Sequence, residues 1–123
     1  GKSVGLNIKL PHEQGANPYQ NVSVEFKHFY ARKVCFLKHC CGVLCFPGGF
    51  GTLDEFFELI TLIQTAKGPR IPVALMGSAF WGELTEFMRR AMLASGPPYI
   101  DQADLGLFRV FDDAREAVEF VCE

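Results

Sequence analysis

The chain has 123 residues, 49% of them apolar, with 12 basic and 14 acidic side chains and a formal net charge of −2. A domain of this size buries roughly two-thirds of its unfolded surface, so the composition excludes a disordered tract, and the balance of charge excludes the basic excess by which nucleic acids are held. No apolar run reaches the roughly 18 to 20 residues that span a bilayer, since the most hydrophobic stretch, from Val43 to Phe46, runs into Pro47 and two glycines.

The opening GKSVGLNIKLP has neither the long apolar core nor the small-residue cleavage site of a secretory signal. The five cysteines are odd in number, and Cys35, Cys40, Cys41 and Cys45 crowd into one short stretch. That usage fits free thiols in a reducing compartment, so a cytoplasmic protein is expected.

Residues 4–10 have the length and mixed character of a strand, and Pro11 with HEQGANPYQN supplies an irregular loop. His12, Glu13 and Gln14 are polar and lie in that loop, where a solvated role is the simplest account. Residues 22–26 alternate Val, Ser, Val, Glu, Phe as a strand does, and residues 27–39 then lose the two-residue period and contain no Gly or Pro, which predicts a helix. Residues 42–46 are short and almost wholly apolar, the pattern of a strand buried on both faces of a parallel sheet.

From about Thr52 to Thr65, Leu53, Phe56, Phe57, Ile60 and Ile63 recur at helical spacing before Gly68 and Pro69. Residues 72–76 read as another buried strand, 80–93 as an amphipathic helix closed by Ser95-Gly96-Pro97-Pro98, and 107–111 as a last short strand. Asp112 or Asp113 can then cap a helix carrying Ala117, Val118 and Val121. The order β, βα, βα, βα, βα predicts a doubly wound α/β sheet of parallel strands.

In such sheets ligands sit at the carboxyl ends of the strands, which draws attention to Pro47-Gly48-Gly49-Phe50-Gly51-Thr52. Three glycines remove the Cβ atoms that keep an anion from the backbone, and the helix behind them presents unpaired N–H groups and the positive end of its dipole. A phosphate suits this place, but a tight strand-to-helix turn would use the same glycines. Thr52 and Glu55 likewise form the Thr-x-x-Glu pattern of a capping box, worth about 1 kcal/mol without any chemistry.

The longer pattern separates these readings. Pro47-Gly48-Gly49-Phe50-Gly51-Thr52-Leu53-Asp54-Glu55 resembles the PGGxGTxxE signature of the LOG (lonely guy) family of nucleotide phosphoribohydrolases, long labelled possible lysine decarboxylases. Arg32-Lys33 resembles the family's RK pair, and GLNIKLPHEQGANPY is similar to the segment preceding it in one bacterial branch. The resemblance covers nearly the whole chain and implies a single Rossmann-like domain over residues 1–123. Family members usually begin with a further strand and helix and a GGGxxGLM-type loop. The chain therefore reads as the C-terminal part of the LOG-type fold, without those N-terminal strands and that first glycine-rich loop.

The resemblance also implies an activity, hydrolysis of the N-glycosidic bond of a nucleoside 5′-monophosphate, AMP-like or with an N6-substituted adenine, to free base and ribose 5-phosphate. Arg32 and Glu55 would be catalytic, and Lys33, Gly48, Gly49, Gly51 and Thr52 would hold the nucleotide and its phosphate. It implies no cofactor, and a homodimer or larger homo-oligomer with helices of the PGG region near the interface. The rival reading is a non-catalytic nucleotide- or cofactor-binding Rossmann-like module. The decarboxylase label finds no recognisable pyridoxal-phosphate site in the sequence, and Lys33 is accounted for by the RK pair.

Taken without the motif, the helix of residues 27–39 gathers Phe29, Tyr30, Val34, Phe36 and Leu37 on a broad apolar arc, with Lys33 inside the arc and Arg32 at its edge. An arginine there can hold a phosphate or carboxylate by paired hydrogen bonds, although arginine is more often simply exposed. His28, Cys35 and His39 share a face of this helix, but the spacing of two helical turns between His28 and Cys35 is not that of structural zinc ligands, and no metal is expected.

Overall fold

The computed structural model describes residues 1–12 and 15–123. Glu13 and Gln14 of the predicted polar loop lie outside the described residues. The fold is α/β and Rossmann-like, its strands all parallel and arranged in two small sheets. Contacts divide the chain into two compact units, Gly1–Cys40 and Cys41–Glu123.

In the first unit, β1 (Val4–Ile8) pairs in parallel with β2 (Val22–Phe26), in register from Val4 with Val22 to Ile8 with Phe26. The connection is anchored by side chains rather than by a core. Asn7 Nδ2 donates to Gln20 Oε1 at 3.0 Å and to Ser23 Oγ at 2.9 Å. Helix α1 (Phe29–His39) follows β2 and packs on both strands. It buries no residue completely, and Phe29, Tyr30, Val34 and Phe36 of the predicted apolar arc are exposed in this chain.

The second unit is a three-stranded sheet in the order β3-β4-β5, formed by Val43–Cys45, Val73–Met76 and Arg109–Phe111. Helix α2 (Phe50–Gln64) connects β3 to β4 and helix α3 (Ser78–Phe87) follows β4. Helix α4 (Ala114–Cys122) comes after β5. Both parallel pairs of this sheet thus have a helical crossover.

Central β4 is buried at all four positions. Ala74 and Met76 form a cluster with Phe111 and with Ala117 of α4, so Val73 and Leu75 point to the opposite face by strand alternation. An aromatic cluster completes the core. Phe56 of α2 lies 5.3 Å from Trp81 of α3 and 5.4 Å from Phe108, ring centre to ring centre, and both contacts are edge-to-face, the geometry favoured by the ring quadrupoles.

Several expectations are corrected here. The run 42–46 does not give a strand buried on both faces: β3 is an edge strand of its sheet, with Leu44 exposed, and the fully buried strand is β4. An apolar run reports that a strand avoids water without reporting its place in the order. Of the apolar residues that recur at helical spacing along α2, Phe56 is 1% exposed and Ile63 is buried as well, because they supply the internal core.

The predicted helix of residues 80–93 changes character. After Phe87 it continues as a π-helical turn over Met88–Leu93, in which Ala94 N–H reaches Arg89 O at 3.0 Å. Ahead of β5, Gln102–Gly106 forms a 3-10 turn, so the strand is shorter than the run 107–111 suggested.

Helix α2 also ends before Gly68. Ala66 takes the left-handed conformation at φ 54°, and Lys67 N–H closes back on Leu62 O at 2.9 Å, the hydrogen bond of a Schellman ending.

Candidate functional site

The site is built where β3 turns into α2. Its strand ends at Cys45, Phe46-Pro47-Gly48-Gly49 makes the turn, and α2 begins at Phe50 with Gly49 as its N-cap. The first intrahelical bond is Leu53 N–H to Gly49 O at 3.2 Å. The amides of Phe50, Gly51 and Thr52 lie ahead of that bond, where a helix provides its own N–H groups with no acceptor.

Thr52 therefore sits inside the first turn instead of at the N-cap, which removes the capping-box reading of Thr52 and Glu55. The N-cap lies three residues earlier than the Thr-x-x-Glu pattern suggested, at Gly49, which occupies the cap with no side chain at all. Thr52 is instead folded back over Gly48. A Cβ built on Gly48 would lie 2.1 Å from Thr52 Oγ1 and 2.8 Å from Thr52 Cβ, closer than real Cβ atoms come to such atoms. Gly48 is thus required by the threonine that lies on it. Around Gly49 and Gly51, by contrast, an added Cβ would meet nothing within 4 Å, so the backbone at both positions faces open space.

The two neighbouring helices begin differently. Ser78 N–H at the start of α3 donates to Asp112 Oδ1 at 2.8 Å, and Asp113 Oδ1 accepts from Arg115 and Glu116 N–H at the start of α4 at 2.9 and 3.0 Å. The sequence offered Asp112 and Asp113 as alternatives for one cap, and the fold uses them for two. The first amides of both helices are met by a carboxylate of the chain itself.

Glu55 lies in the second turn of α2, half-buried. Burial, and then the Glu55 carboxylate nearby, push the Cys45 thiol up from its ordinary 9.0 to about 11. The charge of a carboxylate on α2 is therefore felt by a partly buried thiol at the end of β3, just ahead of the glycine turn. Gly48, Gly49, Gly51, Thr52 and Glu55 come together in this unit.

Arg32 and Lys33 are neighbours on α1 of the first unit, both half-buried. Arg32 Nε donates to Leu6 O of β1 at 2.7 Å, and the guanidinium carbon stands 5.1 Å from the centre of the Phe36 ring. Sequence reasoning assigned the guanidinium no such structural bond. Among the described residues no group of three or more His, Cys, Asp or Glu could hold a metal ion, and no helix is long and apolar enough to cross a membrane.

The family model described as possible lysine decarboxylase matches residues 1–121. The chain belongs to this family. It is the LOG family to which the PGGFGTLDE run pointed, and the match spans both units. No curated protein matches the chain. Within this LOG-family chain, two site features were missed in the sequence. These are Gly77 at φ 100° and Asp112, at the ends of the neighbouring strands. The signal available was modest: a Gly-Ser closing one apolar run and an Asp-Asp pair closing another.

Proposed function

We propose that this LOG-family chain hydrolyses the N-glycosidic bond of a nucleoside 5′-monophosphate, AMP-like or N6-substituted, giving the free base and ribose 5-phosphate. The observation that carries the reading is the open backbone at Gly49 and Gly51 ahead of α2, with a half-buried carboxylate, Glu55, one turn further along the same helix. Family membership supports it.

The 5′-phosphate is held by the amides at the start of α2, where backbone donors and the helix dipole both favour an anion. Lys33 adds a positive charge to nucleotide binding. The bond between C1′ and the base nitrogen then breaks, its electron pair leaving with the base while positive charge develops on the sugar. Glu55 stabilises that charge or takes a proton from the water whose oxygen bonds to C1′, and the departing base is protonated. A guanidinium serves as a fixed charge and not as a proton donor, so the part proposed for Arg32 is electrostatic.

A second reading, a nucleotide-binding module without catalysis, is favoured by one observation: Arg32 Nε is already committed to Leu6 O. Incubation with a panel of nucleoside monophosphates separates the two. Release of free base and ribose 5-phosphate in equal amounts is expected, and saturable binding with both products absent would favour the module.

A further inference from the structure

The glycine turn has little stiffness of its own, since glycines are the residues least restricted by their backbone. Pro47 is the one residue in the turn whose φ is fixed by its ring, and that ring faces Gly77. A Cβ built on Gly77 would lie 3.4 Å from Pro47 Cγ and 3.9 Å from Pro47 Cδ, so the proline ring faces Gly77 across the ends of β3 and β4 with room for little more than a hydrogen between them.

Gly77 is itself held from the next strand. It adopts φ 100°, which side-chain-bearing residues rarely do, and its N–H donates to Phe111 O at 2.8 Å. The following amide, Ser78 N–H, donates to Asp112 Oδ1 at 2.8 Å. Gly77 O in turn accepts from Trp81 N–H at 3.0 Å, which ties the corner to the buried Trp81. The ends of β5, β4 and β3 are thereby linked in series, from Asp112 through Gly77 to Pro47.

We infer that Asp112 is a positioning residue for the phosphate turn, setting the place of Pro47 and the two glycines after it through Ser78 and Gly77. The inference rests on the phosphate reading given above. Asp112 is exposed, and its carboxylate is engaged by the Ser78 amide. Without its carboxylate the Ser78 amide loses its acceptor, the Gly77-Ser78 corner keeps only its backbone bonds to Phe111 and to the first turn of α3, and Pro47 faces a less fixed corner. A small displacement at a pre-organised anion site is expensive for the ligand, so the cost should appear in recognition of the phosphate and not of the nucleoside.

The test is calorimetric titration of the wild-type protein, Asp112→Asn and Asp112→Ala with AMP and with adenosine. Asp112→Ala should weaken AMP about tenfold and leave adenosine unchanged, so that the preference for the mononucleotide collapses. Asp112→Asn keeps an oxygen acceptor for Ser78 N–H and should restore most of that preference. Should Asp112→Ala not fold, Pro47→Ala, which removes the ring from Gly77, should produce the same selective loss.

A wild-type preference for AMP that persists undiminished in a folded Asp112→Ala or Pro47→Ala protein would overturn the brace alone. So would equal loss of both ligands, or failure of Asp112→Asn to restore the preference. Equal affinity for AMP and adenosine in the wild type would overturn the phosphate reading, and the brace with it.

Discussion

The Cys45 thiol at the end of β3 is pushed up from 9.0 to about 11, by burial first and by the Glu55 carboxylate of α2 second. A thiol in such a place is poorly ionised and correspondingly slow as a nucleophile. The pair gives an observable for the Glu55 charge that does not depend on any substrate.

Replacing Glu55 by Gln should therefore lower the Cys45 pKa while leaving it above 9.0, since the larger cause, burial, persists. Peptide-resolved alkylation with iodoacetamide across alkaline pH reads this directly, with the onset moving to lower pH in the variant. The sign for stability follows from the same shift. The neutral thiol is favoured in the fold, so its contribution is complete below 9.0 and is lost as pH rises from 9.0 through about 11. An onset that does not move would place the Glu55 charge elsewhere.

Ala66 closes α2 in the left-handed region at φ 54°, where a Cβ crowds the backbone and glycine is the usual occupant. Ala66→Gly should stabilise the protein by about 0.5 to 1 kcal/mol, the relieved strain being partly offset by the greater freedom of glycine in the unfolded chain. Urea unfolding should show a higher midpoint at unchanged slope. A lower midpoint would mean that Ala66 is not strained.

The pattern of elements was legible because each helix and strand carries its own period. Val73 to Met76 reads as buried and is buried, and the glycine turn was located with its strand before it and its helix after it. Less legible was everything decided between elements. The edge position of β3 depends on strand order, and the start of α2 at Phe50 depends on Gly48 leaving room for Thr52. The bond from Arg32 to Leu6 O joins residues 26 apart in sequence. Asp112 acts on a helix start 34 residues away, which no local pattern encodes.

Association with a second copy of the chain is expected from the large apolar side chains each unit leaves exposed. Phe56 and Ile63 are consumed by the core, whereas Phe29 is 57% and Tyr30 78% exposed on α1, and Phe50 is 94% exposed at the start of α2. Apolar surface of this kind favours burial against a second copy. Multi-angle light scattering at micromolar concentration should give a mass at least twice that of the 13.7 kDa chain, and Phe29→Ser with Tyr30→Ser should reduce it. A stable wild-type monomer would contradict the expectation.

Arg32 has a structural bond as well as its proposed electrostatic part, and the two make separable demands. Arg32→Ala should lose about 1 kcal/mol of stability with the hydrogen bond to Leu6 O. It should also lower turnover by about the same factor as Glu55→Gln. The double variant should be little slower than either single one if the two residues act as a unit. Turnover that is normal in a folded Arg32→Ala protein would leave Arg32 as a clamp between α1 and β1.

The central claim is that the Glu55 charge drives cleavage of a nucleotide held at the glycine turn. It is tested most directly by measuring free base released from AMP, or from the best monophosphate of the panel, by the wild type and by Glu55→Gln. Glutamine keeps the size and hydrogen-bonding reach of glutamate, so the variant should fold, melt within a few degrees of the wild type, as a change well under about 1 kcal/mol allows, and still bind the mononucleotide. The account predicts that its kcat falls by about 10²-fold or more. Near-normal release of base by a folded, nucleotide-binding Glu55→Gln protein would contradict it.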